Sequence, residues 1–138
     1  MLGLTSAVVL ASGLSGGLLG GAAQAAATTL YVDKGNPSCT NSGPGTQTAP
    51  YCTISAAAAK AVAGQTVRVA AGTYTERVKP AYSGTALAPI VYAADPGAVV
   101  SGAANGFRLS AKSWVTVRGF TVRSTTGIGI YASDSSNL

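Results

Sequence analysis

Histidine is absent from this 138-residue sequence, cysteine occurs twice, and four acids stand against nine Lys and Arg. Two thiols and no imidazole cannot supply the four ligands of a zinc site. The acids Asp33, Glu76, Asp95 and Asp134 are scattered, and they offer no facing pair of the kind glycoside hydrolysis requires. No Lys/Arg-rich run with interleaved aromatics occurs, so nucleic acid is not an expected partner. The formal charge of +5 favours anionic partners such as acidic polysaccharide or wall polymer. On composition alone, it describes no more than a basic, soluble surface.

Charge is also missing from residues 1–25, where Leu, Val, Ala and Gly dominate. Ala7-Val8-Val9-Leu10-Ala11 leads through glycines to Ala23-Gln24-Ala25, which has the small-x-small form of a signal-peptidase site. A signal peptide is therefore expected over 1–25, with a secreted, extracellular product, although the usual positive n-region is missing. The glycine-broken apolar run falls short of the ~20 residues a membrane span needs, so no membrane partner is expected after cleavage.

An even cysteine count in an exported chain predicts a Cys39–Cys52 disulfide. It would close a loop rich in Gly, Pro, Ser and Thr, a constraint that typically stabilises by about 3 kcal/mol. After it, Thr53-Ile54-Ser55 opens an alanine run that stops at Gly64, which predicts a short helix. Ile54, Ala58, Ala61 and Val62 would share one face. Residues 26–65 thus form an N-terminal strand, a disulfide loop and a helix suited to cap the strands beyond it.

From residue 66 to 138 the chain repeats. The stretch Gly106 to Val115 lies over Gly129 to Leu138 without a gap, and this period of about 23 residues indicates a solenoid. Val67-Arg68-Val69, Ile90-Val91-Tyr92 and Val115-Thr116-Val117 recur at offsets of 23 and 25. As one strand column they would turn Val67, Val69, Ile90, Tyr92, Val115 and Val117 inward, and Leu138 would begin the next strand. A second column takes Val99-Val100-Ser101 and Phe120-Thr121-Val122. The third takes Phe107-Arg108-Leu109 and Ile130-Tyr131-Ala132, with Val78-Lys79-Pro80 as a poorer member. Three strands per coil of about 23 residues describe an all-β, single-stranded parallel β-helix; sandwiches and barrels do not repeat with one residue count around a coil.

The Leu30-Tyr31-Val32 strand, the Gly/Pro/Ser loop and the alanine helix are followed by Gly64-Gln65-Thr66-Val67-Arg68-Val69-Ala70-Ala71-Gly72-Thr73-Tyr74-Thr75-Glu76, then by Ala88-Pro89-Ile90-Val91-Tyr92-Ala93. This order resembles the N-terminal part of secreted right-handed parallel β-helix proteins, most closely those related to pectate disaccharide-lyase type polysaccharide lyases. The resemblance covers about Thr28 to Leu138. It implies β-elimination on uronate polymers, with a Lys or Arg base and a Ca²⁺ held by clustered acids. Calcium needs several converging oxygens, and the scattered acids here do not map onto that site, so no metal ligand and no catalytic residue is assigned in this stretch. No cofactor is expected here; the Ca²⁺ that the resemblance implies would be a matter for the full-length protein. About two and a half coils are present and Leu138 would sit on an uncovered strand, so a monomeric fragment lacking later coils is expected.

Three outward residues remain as candidates for substrate binding. Arg108 and Tyr131 are equivalent positions one coil apart, and Lys79 extends the row if the register holds for one more coil. A cation beside an aromatic on a rigid sheet suits a uronate carboxylate and a sugar ring, although outward positions of such a fold are polar in any case. Trp114 aligns with Asn137 at a strand entry, where packing over the turn competes with sugar stacking. Arg118 and Arg123 are expected as solvated charge at strand ends. Three function classes stay open: the N-terminal part of a pectate-type lyase, a non-catalytic polysaccharide-binding β-helix, and a glycoside hydrolase or uronate epimerase on the same scaffold. Thiol titration of the unreduced, denatured protein should find no free cysteine; two free thiols would contradict the disulfide.

Overall fold

The structure is a computed structural model, and it describes residues 28–138. The signal peptide expected over 1–25 lies outside the described residues. The elements are β1 (Thr29–Val32), α1 (Ile54–Ala58), β2 (Thr66–Val69), β3 (Gly72–Tyr74), β4 (Ile90–Ala94), β5 (Ala98–Ser101), β6 (Phe107–Ser110), β7 (Val115–Arg118), β8 (Thr121–Arg123) and β9 (Ile130–Ser133). All the strand pairs are parallel, in three sheets ordered β1-β2-β4-β7, β3-β5-β8 and β6-β9. The fold is therefore all-β and parallel, and from β2 onward the chain moves among the three sheets.

Short alternating runs produce this arrangement because each strand turns one set of side chains inward. β2 buries Val67 and Val69 and exposes Arg68, and β6 buries Phe107 and Leu109 and exposes Arg108. The enclosed space is filled by Ile90, Tyr92, Val100 and Val115, with Tyr74 and Val78 in the earlier turn. Phe107 stands edge-on to Tyr92 at 6.1 Å and to Phe120 at 4.9 Å between ring centroids, a favourable aromatic geometry.

The register corrects the repeat in two places. Val67 pairs with Tyr92 and Ile90 with Val115, so both steps from β2 to β7 carry an offset of 25 rather than one of 23 and one of 25. A slip of two preserves the facing, which is why the inward set from Val67 to Val115 is buried as expected. In the second sheet Val100 pairs with Val122 at an offset of 22, and Phe120 lies before β8. Its ring instead fills space against Phe107. β3 also belongs to this sheet, through Tyr74↔Val100; so short a strand does not stand out by period. Only the third sheet keeps the offset of 23 throughout, from Phe107↔Ile130 to Ser110↔Ser133.

That fixed step carries a repeated turn. Ala111 and Asp134, like Trp114 and Asn137, are left-handed at φ of 52° to 56°. Ser113 meets Ser136 at 3.0 Å between hydroxyls, and Ser133 donates to Ser110 at 3.3 Å. Trp114 is held through its backbone, its carbonyl accepting from Ile90 N–H. Gly119, at φ +81°, makes the corner between β7 and β8, where any Cβ would come within 2.7 Å of the Ala94 carbonyl.

α1 is shorter than the alanine run. Thr53 caps it, Oγ1 accepting from Ala56 N–H. Past Ala58 the ladder is diverted: the Ala58 carbonyl accepts from Ala81 N–H, and Val62 N–H donates to Gln65 Oε1. Ile54, Ala58 and Ala61 are buried as their shared face requires, but Val62 is exposed. The first turn is tied to the coil by Glu76, whose carboxylate accepts from Ile54 N–H (3.0 Å), Ser55 N–H (2.7 Å) and the Ser55 hydroxyl. A carboxylate there also suits the positive end of the helix. Cys39 and Cys52 are disulfide-bonded with 5.1 Å between Cα atoms. Within that loop Asn41 Oδ1 accepts from Cys52 N–H, Thr53 N–H and the Thr53 hydroxyl.

This packing sets two stability outcomes. Glu76→Ala leaves the Ile54 and Ser55 amides without their acceptor, while the Ser55 hydroxyl keeps the Arg77 carbonyl, and should lower unfolding free energy by about 1–3 kcal/mol; urea denaturation checks this, and an unchanged midpoint would refute the tie. Burial raises the phenols of Tyr74 and Tyr92 above the ordinary value. The unfolded chain ionises first, so the contribution is complete below pH ~10 and is lost as pH rises toward the folded values. The Tyr92 hydroxyl is buried without a hydrogen-bond partner among the described residues. Tyr92→Phe should therefore leave stability at pH ~7 unchanged or up to ~1 kcal/mol higher and should reduce the alkaline loss, as measured by denaturation at both pH values.

Candidate functional site

The outer face of the third sheet carries a basic row. Val78 bridges to Phe107, with Arg108 N–H donating to the Val78 carbonyl at 2.8 Å. This puts Lys79 beside Arg108. Arg108 in turn pairs with Tyr131, so the three residues lie in line at the strand spacing of about 4.8 Å. The guanidinium sits 5.3 Å from the Tyr131 ring centroid, and Nε donates to Ser110 Oγ at 3.3 Å. Both contacts limit where the charge can move.

Two clefts adjoin this row. Lys79, Arg108, Ser110 and Lys112 line one of about 360 Å³. Asn105, Arg108, Ile128 and Tyr131 line part of the other, of about 350 Å³. No carboxylate lines either cleft. Three cations therefore gather on one face, and Lys112 joins through the turn after β6. Its sequence position gives no sign of this, because the turn has no strand periodicity. A planar guanidinium, two ammonium groups and an aromatic face can bind carboxylates and stack a ring.

The four acids are elsewhere. Glu76 holds the helix, and Asp95 pairs with Arg68 at 3.1 Å. Asp33 accepts from Gly35 N–H in its own turn, and Asp134 lies in a left-handed turn. Among the described residues no three His, Cys, Asp or Glu converge as metal ligands. Arg118 and Arg123 are exposed at the ends of β7 and β8. Arg118, however, shares a second surface with Tyr31 and Arg68, which separate strands conceal in the linear sequence.

The comparisons agree with this architecture. Residues 37–83 match a family described as "Protein of unknown function (DUF1565)", which belongs to the pectin-lyase-like β-helix clan. The uncharacterized protein YwoF of Bacillus subtilis (strain 168) is 33% identical, over 78% of this chain and 26% of its own length. A solved structure of a rhamnogalacturonan lyase superposes with a TM-score of 0.55 at 24% identity, covering 70% of this chain and 28% of the lyase. That likeness is one of fold. The chain spans about a quarter of the length of either protein.

Proposed function

We propose that this chain is the N-terminal part of a secreted right-handed parallel β-helix protein acting on acidic, pectate-like polysaccharide. Coils 66–138 supply the start of the solenoid, and α1 covers its open end. The observation that carries the reading is the Lys79–Arg108–Tyr131 row, with Lys112 beside it and no carboxylate in its clefts. Charge-assisted hydrogen bonds from Arg108 and the lysines would hold successive uronate carboxylates, while Tyr131 stacks a ring. The disulfide suits an oxidising compartment. No helix among the described residues is long and apolar enough to cross a membrane.

The likeness to a rhamnogalacturonan lyase supports a polysaccharide lyase working by β-elimination. Catalytic residues and any Ca²⁺ site would belong to later coils, a reading supported by the greater length of both relatives. A second reading, a non-catalytic binding β-helix, is favoured by the engagement of Glu76 and Asp95 in structural contacts.

The 138-residue chain should bind polygalacturonate, with an affinity that falls as NaCl is raised. Arg108→Ala should weaken it about tenfold, in keeping with loss of one charge-assisted contact. Titration calorimetry measures this, and binding indifferent to both salt and Arg108 would exclude the site. No unsaturated-uronate absorbance should develop with or without Ca²⁺; a clear rise would place elimination chemistry within these coils.

A further inference from the structure

The outer face of the first sheet carries a second row, distinct in charge from the one above. Pairing aligns Tyr31 with Arg68, Arg68 with Ala93, and Ala93 with Arg118. The row spans about 14 Å across four strands. Along one side runs a line of strand ends: Ala70 N–H donates to the Val32 carbonyl and Asp95 N–H to the Val69 carbonyl. This aligns Asp33, Ala70 and Asp95, setting the two aspartates about 10 Å apart along the axis. Ala70 and Ala93 project only methyl groups, so space opens between the longer side chains.

Two clefts of about 220 and 310 Å³ occupy that space and share Tyr31, Arg68 and Asp95. They adjoin along these three residues as a two-part groove. Gln47 and Pro50 of the disulfide loop wall one end, and the loop is fixed there by Tyr31 N–H donating to the Gly45 carbonyl and Tyr51 N–H to the Tyr31 carbonyl. Arg68 is set in place by Asp95, to which both Nε and a terminal nitrogen come within 3.1 Å. Arg118 makes no ion pair among the described residues.

We propose that this groove binds a neutral, hydroxyl-rich oligosaccharide, separately from the acidic polymer on the third sheet. Two arginines and two aspartates balance in charge, so a polyanion gains little here. Carboxylates accept from sugar hydroxyls, guanidinium and amide groups donate to them, and the Tyr31 face supports a ring. The strand spacing is comparable with the length of one sugar ring, so successive sugars meet successive strands. Sheet and clipped loop hold these groups without reorganisation, which favours binding.

The test titrates the full chain by calorimetry with neutral tetrasaccharides of galactose, mannose, xylose and glucose, and with tetragalacturonate. At least one neutral probe should bind with affinity unaltered in ~0.5 M NaCl, where exposed charges are screened beyond a few Å. Tyr31→Ala and Arg118→Ala should each weaken it about tenfold, Tyr31→Phe should retain it, and Arg108→Ala should leave it unchanged. The proposal is overturned if no neutral probe binds, if neutral binding is lost with Arg108→Ala, or if its affinity is unchanged by Tyr31→Ala or by Arg118→Ala. Tetragalacturonate binding that depends on Arg108 tests the other face, so the two readings fail separately.

Discussion

Parallel backbone pairing from strand to strand is the constraint on which the rest of this molecule depends. Each strand satisfies its amides and carbonyls on its neighbour in the sheet, and that fixes which atoms can face inward. Offsets of 25 in the first sheet between β2 and β7, 22 between β5 and β8 and 23 in the third are all compatible, because only strand residues must match. Corners and loops absorb the differences. Val78 even reaches Phe107 over a longer step than any of these and still extends the outer row in register.

At the N-terminal side the same demand is met without a full set of strands. There α1 lies against β1 and β2, and its first amides are taken by Glu76 from the coil. The disulfide and Asn41 order a loop that has few apolar side chains of its own. This end adds polar ties to its buried Leu30, Val32, Tyr51 and Ile54, whereas the later strands rest mainly on buried Val, Ile and aromatic side chains. Two outer faces then differ by charge: one gathers Lys79, Arg108 and Lys112 without an acid in its clefts, and the other balances Arg68 and Arg118 against Asp33 and Asp95. Rigid strands at a fixed spacing make both rows persistent.

Much of the interior is legible from alternation. Val67, Val69, Ile90, Tyr92 and Val115 read as inward and are buried, since parity survives an error of two positions. The Arg108–Tyr131 alignment is legible for a related reason: the third sheet repeats without a gap. Phe120 escapes the pattern because a glycine corner, not a strand, precedes β8. Lys112 escapes it since turns carry no period, and the row from Tyr31 to Arg118 is hidden since its members come from separate strands, far apart along the chain.

The sequence by itself determined which residues alternate, where the chain must turn, and that two thiols stood close enough along the chain to be joined. These depend on local sterics and on hydrophobicity, which are properties of neighbouring residues. Only the tertiary structure decided the register between strands, the end of α1 at Ala58, the engagement of Glu76, and the division of charge between two faces. Each of those arises from groups distant along the chain competing for the same hydrogen-bonding partner or the same space, and that competition is settled when the strands pair.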